Sequence, residues 1–558
     1  MRDVASSPQR TGASVGSLLK AAPSWMRSDL ALAAAIACLG LALTLFQLGG
    51  PSLWMDEAFS VELARKPLST LWLVSSSGGE ANMVLYYLIL HGWLNLLSLF
   101  GVPALEFAVR LPSALFASAS AVVVFLLGRK YVSQLVGGLA AVLLLLNSYV
   151  LTTAQFTRSY SLQLLLVTLS WYALLAALTT ERRAWAWWIG YALLTGAGFY
   201  AQLTTVFIVC AQIVFLAALA LAPTEWRARV RARIWPAILS LLAIGIMFVP
   251  IALISQGVSK TGWLPSPSLR DLRALYLVYA FGEPRWQFVG LLLLVAAAIL
   301  AVILFYARRR HSVEKRPDSA FQSTRTYDAS GIVHRPTATE AVFLLAVLCW
   351  LVIPVVGTFV VSQSATRVFS TRYLVIIIPA LALLVSTLAT LTRVWFLRVA
   401  IASAFLIPAV AGAISYYPNA QIEDWRTPAR WIEQHYQAGD GLVSYNNNPQ
   451  QGAQFPIQYY LHTDGSQADF DADSPGVVLW ERLPDEDPFA HYQDALDPQA
   501  LSSYAALHHR FFFVAGRLSG PDDVAKVQAT ITWLNSHYQL LGQSSDSTAA
   551  TVLLYSAP

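Results

Sequence analysis

Trp54-Met55-Asp56-Glu57-Ala58-Phe59-Ser60 follows directly on the first long apolar run of the chain, 30–49. Two adjacent carboxylates lie where that run would leave a bilayer, so the reading of the run decides what kind of protein carries them. A basic tail (Arg2, Arg10, Lys20, Arg27) precedes it, and about 20 apolar residues suffice for a helix to cross the hydrocarbon core. That is too long for a signal-peptide core, and no clear small-residue cleavage site follows, so the run reads as a retained helix. Composition agrees. Of 558 residues, 56% are hydrophobic and 12% charged, half the roughly 25% charged residues of a soluble domain. Many of the Trp and Tyr residues fall at the ends of apolar runs, where aromatic rings prefer the headgroup zone.

Further runs of spanning length occupy 109–127, 134–152, 160–179, 185–203, 204–222, 235–254, 287–307, 340–361, 372–391 and 396–416. The stretch 83–100 is apolar but holds His91 and Asn95. Loop charge decides its status. With 83–100 left out, the loops carrying Arg129/Lys130, Arg182/Arg183, Arg227–Arg233, Arg308–Arg310, Lys315/Arg316 and Arg393 all share the side of the N-terminus, as cytoplasmic loops should. Counting it as a span would move every one of them outside, so it reads as an interfacial or re-entrant helix. The expected fold class is a polytopic α-helical cell-membrane protein of about eleven or more spans with a C-terminal extracytoplasmic α/β domain. Residues 1–29 form a cytoplasmic tail, 30–416 the transmembrane domain, and 420–558 the outer domain.

Charge supports that division. Residues 420–558 carry 17 Asp and Glu against 6 Lys and Arg, a net −11, and the remainder is +16. Such a split suits two compartments, not nucleic-acid binding. Strand-like runs occur at Gly441–Tyr445, Val477–Trp480, Phe511–Ala515 and Thr551–Tyr555, with helical stretches near 427–437 and 522–537.

The same count puts four polar loops on the outer face: 50–108 with Asp56 and Glu57, 153–159 with Gln155 and Arg158, 255–286 with Lys260, Arg270 and Arg273, and 362–371 with Arg367, leading into Arg372. Neighbours on a helix point about 100° apart, so Asp56 and Glu57 cannot flank one bond as paired carboxylates do. Asp56 suits a proton acceptor, with Glu57 orienting an acceptor, a cation or a neighbouring donor. Alternatively, Asp56 N-caps a short helix, 57–66, and Glu57 complements its dipole. Arg158 and Arg372 can each pair bidentately with phosphate or snorkel to lipid headgroups. Arg110 invites the same two readings, and snorkelling is favoured there. Lys260 reads as a solvated loop lysine.

Asp471-Ala472-Asp473 and Asp485-Glu486-Asp487 match a cation-binding Asp-x-Asp pattern, but both sit in acidic loops of the outer domain and read as solvated. Cys38, Cys210 and Cys349 lie inside apolar segments without metal spacing and read as small buried hydrophobes. A divalent metal at Asp56 and Glu57 is possible, though no His or third acid stands at ligand spacing.

The chain resembles the GT-C superfamily, within the branch of dolichyl- or undecaprenyl-phosphate sugar transferases that includes protein O-mannosyltransferases and lipid A aminoarabinose transferases. Asp56-Glu57 after the first span looks like its signature. Further matches follow in the family's order. Glu80-Ala81-Asn82-Met83-Val84-Leu85-Tyr86-Tyr87 is similar to a "PLYY" motif before a juxtamembrane helix, and Arg110-Leu111-Pro112-Ser113 to an "RLPS" at the second span. Gln155-Phe156-Thr157-Arg158-Ser159-Tyr160-Ser161-Leu162 is similar to a "QEARMYSL" loop, Arg372-Tyr373 to a late "RY", and Asp424-Trp425-Arg426 to a "DWR" before the outer domain. Departures are Val84 for the usual proline, Phe156-Thr157 for Glu-Ala, and Ser159 for Met. The likeness covers roughly 30–430, and the motifs share one deduced membrane face or lead into it.

The resemblance implies an inverting glycosyltransferase, with a polyprenyl-phosphate sugar as donor and a lipid, glycan or protein as acceptor. It makes Asp56 the base, supported by Glu57, and implies substrate binding at Glu80, Asn82, Tyr86, Arg158, Tyr160 and Arg372. Such chemistry needs a carboxylate for the acceptor's proton, cations for the departing phosphate, and exclusion of water. Two rivals remain. A transporter or flippase would place ionisable groups near the bilayer midplane, whereas here polar groups collect at one face. A non-catalytic anchor for the outer domain would leave the Asp-Glu pair unexplained.

Overall fold

The computed structural model describes residues 24–76, 81–181, 183–222, 225–255, 261–262, 264–314, 336–445, 452–479, 491–518, 520–545 and 547–556. The apolar runs form helices: α1 (Ser24–Leu45), α2 (Met55–Arg65), α3 (Leu68–Ser76), α4 (Val84–Leu99), α5 (Glu106–Tyr131), α6 (Gln134–Leu146), α7 (Ser148–Ala154), α8 (Tyr160–Thr179), α9 (Ala184–Ala201), α10 (Thr205–Leu221) and α11 (Glu225–Ala232). They continue with α12 (Ile234–Ile254), α13 (Leu269–Phe281), α14 (Pro284–Glu314), α15 (Ala338–Val361), α16 (Thr371–Leu374), α17 (Ile378–Leu391) and α18 (Trp395–Tyr416).

Among the described residues, eight helices are long and apolar enough to cross a membrane, or up to ten if each of two bent pairs is one span. The sequence count of eleven also included 185–203, which forms the 18-residue α9 outside that set. Apolar side chains such as Leu242, Ile246 and Leu253 stand exposed along α12, as lipid-facing positions of a multi-pass membrane protein must. Cys349 is buried as expected. Cys38 and Cys210 instead lie on the exposed surface of the bundle, a correction to their reading as core.

Two local features shape the bundle. The expected straight span 134–152 is broken at Asn147, whose side chain accepts from the Tyr149 and Val150 amides at 3.1 and 3.4 Å. That cap starts α7 anew, at 66° to α6. Gly128 and Gly137 let α5 and α6 touch backbone to backbone, since a Cβ on Gly128 would lie 2.6 Å from the Gly137 Cα. Helix α4, at 16 residues, reaches roughly 24 Å. That falls short of the ~30 Å core and fits a helix that does not span.

The two ends of the bundle differ. At one end Arg129 pairs with Asp29, and Arg233 donates to the carbonyls of Leu178 and Thr180. At the other end of α5, Arg110 meets the 48–57 segment.

The chain after α18 continues as α19 (Arg426–His435), β1 (Gly441–Tyr445), α20 (Gln454–Asp464), α21 (Pro498–Ala505), β2 (Arg510–Gly516), α22 (Pro521–His537), β3 (Gln539–Gln543) and β4 (Ala550–Ser556). The sheet order is β1-β2-β4-β3, with β1 parallel to β2 and the other pairs antiparallel. The Val477–Trp480 strand is not found. Residues 477–479 are irregular, with Val478 held by the Gln454 side chain at 2.8 and 3.0 Å, and Trp480 lies outside the described residues.

This domain shares its core with the membrane part. One hydrophobic cluster joins Leu53, Met55, Phe59 and Tyr87 to Trp425, Phe455, Tyr459 and Phe512. Charge also crosses the seam. His462 on α20 faces Glu62 on α2 at 3.5 Å and Asp469 at 3.9 Å, and these carboxylates push its imidazole up to about 9. A pKa raised above its unfolded value contributes stability that is fully present below about pH 6.5 and lost as pH passes through about 9. With the ring 39% exposed, screening holds this to under about 1 kcal/mol. The melting temperature should therefore fall modestly from pH 6 to 10, and less steeply in His462→Gln. Equal slopes would remove this coupling.

Candidate active site

Asp56 and Glu57 occupy the first turn of α2. The N-cap position is Trp54, and Glu57 Oε2 reaches back to accept the Trp54 amide at 3.3 Å. The capping expected of Asp56 thus falls to Glu57, at the third helical position, as in a capping box. The angular offset sends the two carboxylates into different surroundings.

Glu57 is fully buried. Its Oε1 accepts from Arg110 Nε at 2.9 Å and from the Thr157 amide at 2.7 Å, and its Oε2 from Arg110 Nη2 at 2.6 Å. Arg110, 3% exposed, also donates to the carbonyls of Leu48 (3.0 Å), Pro51 (2.8 Å) and Ser52 (3.0 Å). That occupies every N–H of its fork. The expected snorkelling is therefore corrected: carbonyls left unpaired by the 48–52 turn draw the guanidinium inward. Glu57 thus engages both of its oxygens with neighbouring hydrogen-bond donors.

Asp56 stays partly open, with its side chain 14% exposed. Its Oδ2 lies 3.9 Å from Arg158 Nη2, and its Oδ1 lies 3.9 Å from Arg517 Nη1. Arg158 Nη1 donates to Ser60 Oγ at 3.1 Å and to the Asp56 carbonyl at 3.3 Å. Arg372 stacks its guanidinium 4.8 Å from the centre of the Trp54 ring, a cation–π contact. The Tyr160 and Tyr373 rings sit 6.3 Å apart, and both feel the charges of Asp56, Arg158 and Arg372. Asp56, Arg158, Tyr160 and Arg372 therefore gather at one end of the bundle.

Two other expected binding residues turn elsewhere. Tyr86 is buried with its hydroxyl 3.0 Å from Ser113 Oγ, which in turn donates to the Arg158 carbonyl at 3.4 Å. Burial pushes its phenol well above the usual range. It supports Arg158 from behind. Asn82 Oδ1 accepts the Leu203 amide at 3.2 Å and ties its turn to the one before α10. Glu80, Lys260, Asp485 and Asp487 lie outside the described residues.

The outer domain clamps the segment leading into α2. Tyr460 OH accepts the Leu53 amide at 2.7 Å and meets Ser52 Oγ at 2.9 Å, while Ser52 Oγ accepts the Trp425 amide at 3.1 Å. Glu423 Oε2 accepts the Met55 amide at 2.9 Å and Trp425 Nε1 at 2.7 Å. Tyr460→Phe leaves the Leu53 amide buried without its acceptor, at a cost of about 1–3 kcal/mol. The expected result is a lower melting temperature together with weaker substrate turnover. An unchanged melting curve would deny the clamp.

The residues present do not fit a divalent cation at the Asp56-Glu57 pair. Both Glu57 oxygens are taken by Arg110, and Asp56 is already flanked by two guanidiniums that would repel a metal ion. No group of three or more His, Cys, Asp or Glu able to hold a metal occurs among the described residues. Asp471 accepts Tyr504 OH at 3.0 Å and faces His508 at 3.3 Å, so the first Asp-x-Asp is engaged within its own domain.

Sequence reasoning missed Arg517 and Glu423, and it misjudged Arg110. Arg517 follows an apolar strand with no local signal, and its partner is more than 400 residues away. Arg110 did carry one: an arginine directly before Leu-Pro-Ser in the first turns of a span.

Residues 87–254 match the family described as dolichyl-phosphate-mannose-protein mannosyltransferase. No curated protein matches the chain in sequence. In structure it is similar to ArnT from Cupriavidus metallidurans in the apo state, at 12% identity and a TM-score of 0.56, over 95% of this chain and 98% of that one. The same protein bound to undecaprenyl phosphate gives 13% identity and a TM-score of 0.52, over 96% and 98%. The chain thus has an ArnT-like fold over nearly its whole length, where the resemblance read from its motifs reached over roughly 30–430.

Proposed function

We propose that the chain is a membrane glycosyltransferase that moves a sugar from a polyprenyl-phosphate donor to an acceptor hydroxyl at the extracytoplasmic face, with inversion. The observation that carries this reading is a partly open carboxylate, Asp56, set beside Arg158, with Arg372 next to it on Trp54. Asp56 takes the acceptor's hydroxyl proton as its oxygen bonds to the sugar's anomeric carbon. The bond from that carbon to the phosphate oxygen breaks, and the electron pair leaves on the polyprenyl phosphate. Arg158 and Arg372 offset the growing phosphate charge. Glu57 is a positioning residue, since it holds Arg110 and the Thr157 amide and thereby the loop that carries Arg158. Undecaprenyl phosphate bound to the similarly folded ArnT supports a donor whose lipid tail stays in the bilayer. So does the mannosyltransferase family match. The acceptor is a lipid, a glycan or a protein. Arg129 and Arg233, gathered at the end of the bundle away from Asp56, support an orientation with that end and the N-terminus in the cytoplasm.

Purified protein in lipid nanodiscs, given a panel of polyprenyl-phosphate sugars, should release free polyprenyl phosphate with one of them. Solute flux in proteoliposomes with no release from any donor would overturn the reading in favour of a transporter.

A further inference from the structure

Arg517 stands apart from every motif of the membrane part, yet it reaches the proposed base. It follows directly on β2 and takes a backbone φ of +50°, a left-handed conformation that residues with a Cβ rarely adopt and that clusters at functional sites. Contacts on several sides hold the residue in place. The Arg517 amide donates to the Ala549 carbonyl at 3.0 Å. Gly516 before it packs so tightly on Trp425 that an added Cβ would lie 2.4 Å from that ring. Arg517 Nε faces Glu423 Oε1 at 3.7 Å, and Nη1 reaches Met55 Sδ at 3.4 Å and Asp56 Oδ1 at 3.9 Å. Trp425 and Glu423 therefore aim this guanidinium across the seam between the domains.

We infer that Arg517 is a positioning residue for the reaction, supplied by the outer domain to hold the Asp56 carboxylate turned toward the acceptor. The inference rests on Asp56 being the base. The charged and titratable groups around Asp56 are Glu57 on its own helix, Arg158 and Tyr160 from the 155–160 segment, Arg372 and Tyr373 from α16, and Glu423 with Arg517 from the outer domain. Arg158 lies beside one carboxylate oxygen and Arg517 beside the other, each at 3.9 Å, so a guanidinium borders each side of the group. Arg158 and Arg372 also face the proposed phosphate site. Arg517 lies on the Glu423 side, which leaves it free to hold the base while phosphate engages the other two. The acidic outer domain then takes part in catalysis, because transfer requires it to be docked.

A base turned away from the acceptor slows the chemical step more than it weakens binding. In Arg517→Ala kcat should fall about ten-fold or more while KM for the donor changes by less than about two-fold. Arg517→Lys should restore most of kcat. Arg510→Ala serves as the structural control: it breaks the Arg510–Asp440 pair at the opposite end of β2, and should lower the melting temperature while leaving kcat near wild type. A second readout does not need turnover. Carbodiimide modifies carboxyls that it can reach, so peptide mapping at one fixed pH should show faster labelling of Asp56 in Arg517→Ala than in wild type. An Arg517→Ala that keeps wild-type kcat, or equal Asp56 labelling in both proteins, overturns the inference. Failure of the function reading looks different: no donor is turned over by wild type, while the labelling difference still decides whether Arg517 holds Asp56.

Discussion

Asp56→Asn is expected to lose at least about 10³-fold in release of polyprenyl phosphate while the protein still inserts and melts like wild type. The size of the loss follows from the role. General-base assistance contributes about 10²–10⁴-fold, and an amide of the same shape cannot take the acceptor's proton. Retained folding follows from the surroundings. Asp56 touches its two guanidiniums only at 3.9 Å and is partly open to solvent, the regime in which an ion pair contributes about 0–1 kcal/mol. Its backbone carbonyl, which accepts from Arg158 and Ser60, is unchanged by the substitution. Release assays on donor panels, paired with melting curves in the same detergent, read both halves of the expectation. Wild-type-like turnover in Asp56→Asn would remove the assignment of the base.

The sequence made legible what depends on local pattern. Apolar length gave most of the helices, and loop charge kept 83–100 out of the span count, which the 16-residue α4 fits. Three of the four strand-like runs became β1, β2 and β4 because each is a nearly continuous apolar run. The fourth strand, β3, has the sequence Gln539-Leu540-Leu541-Gly542-Gln543 and sits mostly exposed at a bulged sheet edge, so no alternation announced it. Val477–Trp480 misled for the opposite reason: Val477 and Val478 are buried, but Gln454 satisfies the Val478 backbone in place of a neighbouring strand. In the site, Asp56, Arg158 and Arg372 were readable as charges at the ends of apolar runs. What an arginine there does was not. Arg110 and Arg158 have the same local appearance, and only the turn at 48–52, with its unpaired carbonyls, sends one inward and leaves the other beside Asp56. Arg517 depends on contacts that no local pattern records.

Glu57→Ala is the other change of large expected effect, and it separates the two carboxylates by kind. The Arg110 guanidinium is 3% exposed and has Glu57 as its only charged partner among the described contacts. Removing that partner strands a buried cation, at a cost of about 3–5 kcal/mol. It also leaves the Thr157 amide without an acceptor, which loosens the loop that presents Arg158. Folded yield, melting temperature and transfer should therefore fall together, unlike the selective loss in Asp56→Asn. Arg110→Met should do the same from the other side, by leaving Glu57 and three carbonyls without donors. The double variant should be less destabilised than the sum of the two, because the second change removes a charge that the first had already stranded. If Glu57→Ala instead melts like wild type and loses only transfer, then Glu57 acts on substrate, and the buried ion pair does not hold the site together.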